Sequence, residues 1–480
     1  MTTLQYTPLD DINSIIKTSK EFYLNRQIQL TKEKNPFKAD LEFRIEQLKK
    51  FYNAIATHED EIIDALFADY HRAKQESIGL EINPLLNNIL HIIKNLRKWM
   101  KPTKVSDCSP PFMFGSIKVE KIARGNVLVI APFNFPILLS LVPVAHAIGA
   151  GNSVVLKPSE QTPHTSMLIA KILNHAGFPK GLVQIVQGSI DETSKLIKSK
   201  DFSMMFYTGS PKVGSIVAQE AAKNLIPCVL ELGGKSPTFI TKSFSRKNLK
   251  TALRRIFFGS FGNSGQICVA PDYLVIHESL YDEAREIAKE LLKETFPLIT
   301  KDAEYTHMIS ERSYNNALKK LENTQGTVYQ CESSLNSDSL CIPPTLIFDC
   351  NWDDTTMLEE NFSPILPIIK YTDLDKTLDT IIDKYDAPLV QYIFSSSKSE
   401  ISHILMRLRS GDCIIGDTLI HVGIKDSPFG GIGHSGYGNY GGIYGFNAFT
   451  HERTIFTQPF WMDFVLSMRY QPYNKEKQSY

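Results

Sequence analysis

GNVLVIAPFNFPILLSLVPVAHAIGAGNSVVLK, residues 125–157, carries no charged side chain before Lys157. A run of that length could span a bilayer. Pro132, Pro136 and Pro143 interrupt it, together with Asn126, Asn134, Asn152 and the glycines of Gly149–Gly151. The stretch reads as strand (VLVIA), loop (PFNFP), helix over about 137–148, tight turn (GAGN) and strand (SVVLK). Strands of parallel sheets are buried on both faces and give continuous apolar runs of this kind. The reading favoured over a membrane span is therefore a βαβ unit in an α/β core.

Working outward, the same alternation continues. From about 122 to 230 the runs VLVIA, SVVLK, LVQIV and SMMFYT alternate with helical segments. From 231 to about 420 a second series has PTFI, YLVIH, TLIFD, ILPII, VQYIF and CIIGD as strands. Upstream, Leu41, Ile45, Leu48, Tyr52 and Ile55, continued by Ile62 and Leu66, make one apolar stripe over residues 40–70, a packing helix. Residues 101–121 are rich in Pro and Ser and read as an extended arm. CESSLNSDSLC, residues 331–341, reads as an exposed loop whose two cysteines are incidental.

Composition sets bounds. The 480 residues correspond to about three compact units at roughly 150 residues each. Apolar residues make up 42% and charged residues 22%, enough for a large core. Lys plus Arg and Asp plus Glu are 52 each, so no net field draws the chain to nucleic acid. Seven cysteines without a CxxC indicate neither a disulfide framework nor a zinc site, and fit a reducing compartment. The start, MTTLQYTPLDDINS, shows no secretory signal and is acidic where a mitochondrial leader would be Arg-rich.

Two glycine-rich segments compete for a phosphate. GxGxxG occurs at Gly431, Gly433 and Gly436, but a charged loop precedes it and more glycines follow, so it reads as a tight loop. FYTGSPKVGSIVAQEAAK, residues 206–223, is better. A strand leads through Gly209 and Ser210 into Val213, Gly214 and a helix whose N-terminus would face an anion. In VVLKPSE, Lys157 and Glu160 stand at a strand's C-terminal end, where they can hydrogen-bond ribose hydroxyls.

Three residues carry chemistry. Cys268, in FGNSGQICVAPDY (261–273), sits in polar, permissive surroundings that suit a nucleophile rather than a buried hydrophobe. Glu231, at the end of an apolar strand in ELGGKSP, is placed to act as a general base for water. The amide of Asn134 in PFNFP can donate to a developing oxyanion, a contact worth roughly 3 kcal/mol of barrier stabilisation.

Together PFNFP, KPSE, FYTGS, ELGGKSP, GNSGQICVAPDY, EENFSP and SPFGGIGHSG, in that order over roughly residues 120–455, resemble the aldehyde dehydrogenase superfamily. CVAPDY and the short N-terminus resemble its class-three branch, and within it the fungal fatty aldehyde dehydrogenases. The resemblance implies two doubly wound parallel-sheet (Rossmann-like) α/β domains plus a small β oligomerisation arm. The NAD-binding domain would be 1–102 with 122–230 and the catalytic domain 231–436. The arm would be 103–121 with 437–455, the tail 456–480, and the assembly a homodimer. It makes Cys268 the nucleophile and Glu231 the activator of the hydrolytic water. Asn134 with the Cys268 N–H makes the oxyanion hole. Lys157 and Glu160 would hold the adenosine ribose, the turn from Gly209 to Gly214 would lie by the pyrophosphate, and Glu360 and Phe362 would hold the nicotinamide. Ser363 stands where the family usually has Gly. Glu192 in GSIDET matches a position near the adenosine 2′ oxygen, where a carboxylate disfavours a 2′-phosphate and so favours NAD.

The expected substrate is a long-chain aliphatic aldehyde, with Tyr70 and Phe135 lining an apolar tunnel and an aromatic aldehyde as the alternative. A cysteine hydrolase would need a histidine partner that no motif nominates; the intact Cys268, Glu231 and Asn134 set argues against a silent scaffold. In PFWMDFVLSMR, residues 459–469, the aromatic residues Phe460, Trp461 and Phe464 with Val465 and Met468 are spaced to cover a tunnel or to lie on a membrane surface. Fatty members of the class carry a hydrophobic C-terminal anchor, and the residues up to Tyr480 show no stretch of that kind. The expected place is the cytoplasm, including the cytosolic face of an organelle membrane. No metal is expected.

Overall fold

The computed structural model describes residues 4–472 apart from 108, 110–111, 113, 300–304, 334–338 and 464–466. The uncharged stretch folds as strand Asn126–Ile130, helix Leu138–Ala150 and strand Ser153–Lys157, the two strands paired in parallel. No helix among the described residues is long and apolar enough to cross a membrane.

The first sheet runs, in spatial order, Gly436–Tyr437, Cys228–Leu232, Met204–Gly209, Asn126–Ile130, Ser153–Lys157 and Val183–Ile185. All neighbours are parallel except the short Gly436–Tyr437 edge. Alternation along each strand splits the apolar side chains between two cores. Val127, Val129, Val154, Leu156, Met204 and Phe206 face one core with helices Pro36–Thr57, Asn83–Met100 and Leu138–Ala150. Leu128, Ile130, Val155, Met205 and Tyr207 face another with helices Leu9–Leu30, Ile190–Ile197 and Pro211–Ala222. Helices on both faces of a parallel sheet make it doubly wound.

The second sheet repeats the plan in the order Thr327–Gln330, Thr345–Phe348, Ile365–Tyr371, Tyr273–His277, Pro237–Ile240, Val390–Phe394 and Asp412–Ile415. Only its first pair is antiparallel. The third sheet is an antiparallel arm of Thr103–Val105, Ser116–Ala123 and Thr450–Thr457.

Several sequence expectations need correction. The 40–70 stripe is two helices, Pro36–Thr57 and Glu59–Tyr70, broken at His58, whose N–H still bonds to the Ile55 carbonyl while its own carbonyl accepts from Ile62. Of the proposed arm segment 437–455, only Thr450 onward enters the arm, and that strand runs on to Thr457; Gly442–Ala448 is a helix packed on Leu138–Ala150. Strand Cys228–Leu232 carries Glu231 inside it, so the carboxylate belongs to the first sheet and not to the start of the second domain. Cys331 and Cys341, expected on an exposed loop, are both buried in the core of the second sheet, and residues 334–338 between them lie outside the described residues. The tail residues Phe464 and Val465, and the Met468 side chain, also lie outside them; Phe460 and Trp461 are exposed, Trp461 packing on Phe114 with ring centroids 5.2 Å apart.

Candidate active site

The chain crosses from one half of the first sheet to the other between strands Asn126–Ile130 and Met204–Gly209, and at such a switch point loops at the carboxyl ends leave a crevice for ligands. Those loops are PFNFP and TGS. Gly233 and Gly234 then lead from the Glu231 strand into the second sheet at Pro237. The loop carrying Cys268 ends where strand Tyr273–His277 begins, so the thiol reaches the crevice from the opposite sheet.

The geometry of the Cys268 loop explains the glycine-rich motif. Asn263, Ser264 and Gly265 have φ of 50°, 54° and 69°, three successive left-handed residues that reverse the chain. A Cβ on Gly265 would collide with the Ser363 carbonyl, so this turn packs directly on the EENFSP segment. The side chain of Gln266 pins the loop: Nε2 donates to the His307 carbonyl at 3.0 Å and Oε1 accepts from the Ile309 N–H at 3.0 Å. Cys268 emerges half-buried, with the backbone N–H groups of Cys268 and Val269 aimed at its sulfur. Burial first, then the Glu360 and Glu231 carboxylates, push its thiol up to about 12.

Asn134 is fixed from both ends. Its Nδ2 donates to the Gln266 carbonyl at 3.0 Å. Its own carbonyl accepts from Asn263 Nδ2 at 3.0 Å, Arg72 Nη2 at 2.5 Å and the Tyr70 hydroxyl at 3.3 Å. Arg72 and Glu81, both fully buried, form an ion pair, and Glu81 Oε2 accepts the N–H groups of Ile137 and Leu138 at 2.8 and 2.9 Å. Tyr70 is thus a brace for the Asn134 loop; it is not among the residues lining the apolar cavity beside Cys268, which corrects the tunnel expectation. Phe135 does line it.

That cavity has a volume of about 480 Å³. Phe135, Leu139, Ile267, Leu419 and Phe429 give it apolar walls, and Cys268, Glu231, Thr208, Asp412, His421 and Tyr440 bring polar groups to it. Both Glu231 oxygens and the Thr208 hydroxyl are buried without a hydrogen-bond partner. Burial and then the Asp412 carboxylate hold Glu231 well above the usual carboxylate range. Arg72, Glu81, Asp412, His421 and Tyr440 escaped sequence reading. Glu81 had one weak signal, a charge in an otherwise apolar helical stretch (IGLEINPLL); the others had none.

The cofactor candidates fall into two groups. Ser210 Oγ caps helix Pro211–Ala222 by accepting the Val213 N–H at 3.4 Å; Gly214 packs on Leu232, and Val213 and Ile216 stay exposed. Lys157 Nζ donates to Glu160 Oε2 at 2.6 Å at the carboxyl end of strand Ser153–Lys157, across strand Asn126–Ile130 from this turn's strand. Glu192 is engaged in a capping box, its Oε2 accepting the Ser189 N–H at 2.8 Å. On the second side, a Cβ on Gly233 would collide with Glu360, whose carboxyl also accepts the Gly234 N–H and is lifted to about 8, first by burial and then by Asp272. Phe362, at φ 47°, sets its ring edge-on to Phe133 at 5.8 Å, and Ser363 is buried with its hydroxyl unpartnered. An unpartnered Thr208 hydroxyl, a capped helix N-terminus, uncovered apolar side chains and a lysine–carboxylate pair fit a dinucleotide laid across the switch point.

A cysteine thiol that opens onto a crevice fit for a dinucleotide is the arrangement expected of oxidoreductases that acylate a cysteine and then hydrolyse the thioester. The chain belongs to the aldehyde dehydrogenase family, whose profile matches residues 20–455, and it is an NAD(P)-dependent enzyme that oxidises aldehydes to carboxylic acids. It is 56% identical over 479 residues to the fatty aldehyde dehydrogenase HFD1 of Saccharomyces cerevisiae, covering 99% of this chain and 90% of the yeast protein. It is 33% identical over 433 residues to a canine aldehyde dehydrogenase described as dimeric and NADP-preferring, covering 90% of this chain and 93% of the canine one. The solved structure of Staphylococcus aureus AldH in a substrate-bound state superposes with a TM-score of 0.86 at 36% identity, covering 93% of this chain and 94% of that one.

Proposed function

We propose that this chain oxidises long-chain aliphatic aldehydes to fatty acids with NAD. The observation that carries the reading is the apolar cavity of about 480 Å³ that ends on Cys268 and Glu231. The name of the 56% identical yeast relative supports the same substrate class. The Cys268 sulfur adds to the aldehyde carbon, and the Asn134 amide with the Cys268 N–H receives the developing oxyanion. Lys157, Glu160, the Gly209–Gly214 turn, Glu360 and Phe362 would hold NAD, which would supply the hydride acceptor. Glu231 takes a proton from the water that cleaves the Cys268 thioester. A carboxylate at Glu192 and the Glu160 carboxylate on Lys157 support NAD over NADP, because a 2′-phosphate would meet negative charge there. A homodimer is supported by the open edge of the arm, where the strand Thr450–Thr457 is exposed over almost its whole length. Its place in the cell is the cytoplasm or the cytosolic face of an organelle membrane, where the exposed Phe460 and Trp461 would face lipid.

The test is NADH formation with saturated aldehydes of increasing length. Each added methylene that finds apolar wall should raise kcat/KM about fourfold, from ~0.8 kcal/mol per CH₂, until the cavity is full. A flat response from short to long chains would refute the substrate class. Cys268→Ser should abolish turnover with every length.

A further inference from the structure

Asp412 opens the last strand of the second sheet, its N–H bonded to the Leu389 carbonyl at 2.9 Å. Nothing in the acylation chemistry requires a carboxylate there. Yet it lines the same cavity as Glu231 and Cys268, bears electrostatically on Glu231, and keeps its side chain 20% exposed. Glu231 itself is buried, with neither oxygen hydrogen-bonded. A base so enclosed takes a proton from water once and must then lose it before the next cycle. We infer that Asp412 acts through Glu231, taking from it the proton removed from the hydrolytic water and releasing that proton to solvent.

The step balances. One water O–H bond breaks and its proton goes to Glu231. The hydroxide oxygen bonds to the acyl carbon, the carbon–sulfur bond breaks, and Cys268 leaves as thiolate. The Glu231 proton passes to Asp412, directly or through one water in the cavity, and from its exposed edge to bulk solvent. The acid product sheds its own proton after release.

The surroundings fit this direction of travel. Glu231 is faced by Asp412, by Cys268 from the nucleophile loop and by Tyr440 from the segment after Gly436–Tyr437. Asp412 is faced by Glu231, by Tyr392 and Cys413, and by His421, whose Nε2 stands 3.8 Å from Asp412 Oδ2, while Lys425 lines the same cavity. Burial lifts Asp412 to about 6 and holds His421 down at about 4, so Asp412 is the group of the two that exchanges protons near neutrality.

The inference rests on Glu231 being the base, and the experiment separates the two ideas. Hydrolysis of a p-nitrophenyl ester without dinucleotide isolates acylation and deacylation at Cys268. Rates of the burst and of the steady state are measured from pH 5 to 9 for wild type, Asp412→Asn, Asp412→Glu, Glu231→Gln and the Glu231→Gln/Asp412→Asn double variant. Asp412→Asn should leave the burst intact and cut the deacylation plateau about tenfold. It should also move the acid limb down by about one pH unit, because a negative neighbour of Glu231 is gone. Asp412→Glu should recover most of the plateau. On the Glu231→Gln background, Asp412→Asn should cost nothing further, as for residues acting as a unit. A limb shift with an unchanged plateau, or losses that multiply in the double variant, overturns the role of Asp412. Unimpaired deacylation by Glu231→Gln overturns the base assignment itself.

Discussion

Arg72→Met removes the cation that faces Glu81 in a fully buried ion pair. Breaking such a pair from one side costs about 3–5 kcal/mol, because the remaining charge stays in the interior. The partners here are specific. Arg72 Nε gives up its bond to Asn263 Oδ1 at 3.1 Å, Nη2 its bond to the Asn134 carbonyl, and Glu81 is left holding the Ile137 and Leu138 N–H groups alone. At about 2.1 cal/mol/K per residue, 480 residues unfold with an entropy near 1 kcal/mol/K, so the loss corresponds to a fall in Tm of about 3–5 °C. The penalty depends on pH with a definite sign. Burial already raises Glu81 above its unfolded value, and losing Arg72 raises it further. A carboxyl raised in the folded state disfavours folding once it must ionise, so the penalty is largest near pH 8 and shrinks as the pH falls and Glu81 takes up a proton. Arg72→Met should also lower kcat about 10- to 100-fold by loosening the Asn134 loop. The Arg72→Met/Glu81→Gln double variant should regain much of the stability, since no unpaired charge remains. Thermal melts at pH 6 and pH 8 decide the matter. A Tm within 1 °C of wild type at both, or a larger drop at pH 6 than at pH 8, refutes this reasoning.

Asn134→Ala should lower the ester-hydrolysis burst by about 100-fold or more with little effect on Tm, through loss of an oxyanion donor; an unchanged burst would remove the amide from the reaction. Glu360→Gln should speed iodoacetamide alkylation of Cys268 several-fold at pH 9, where the neighbouring carboxylate is ionised, and change it little at pH 6, where Glu360 holds its proton. Mass spectrometry of the labelled peptide gives the rate. Lys157→Met should raise KM for the dinucleotide about 10- to 100-fold, the cost of a charged hydrogen bond, and leave dinucleotide-free ester hydrolysis untouched. With both Cys268 and Glu231 raised, ester hydrolysis should climb with pH across 6–9; a plateau already reached at pH 6 would contradict both shifts.

Much of the architecture was legible because its signals are local. Buried parallel strands such as Asn126–Ile130 and Tyr273–His277 are unbroken apolar runs, and the Gly151 and Gly233 turns punctuate them. Strand Thr327–Gln330 escaped notice because TVYQ is largely solvent-facing on a sheet edge and has no apolar run to betray it. Glu231 looked like a strand end because charged residues are expelled from sheet interiors, yet pairing with Thr208 and Gly436 keeps it within the ladder. Asp412 and His421 lie some 140–190 residues from Cys268 and Glu231. Only the strand order, which puts Asp412–Ile415 at the edge beside Val390–Phe394, carries them to the cavity.

The segment between Asp412 and Tyr437 therefore has two mechanical duties. It leaves the second sheet at Ile415, runs along the cavity as Leu419–Lys425 and Ser427–Phe429, and then hooks onto the Glu231 strand of the first sheet through Gly436 and Tyr437. Cys268 reaches the cavity from one sheet and Glu231 from the other, so their separation depends on how the two sheets are held together. A wall anchored at both ends fixes that separation while its apolar face lines the cavity. Substitutions at Leu419 or Phe429 should accordingly change kcat together with chain-length preference, because the surface that selects the aldehyde also sets the distance between sulfur and carboxylate.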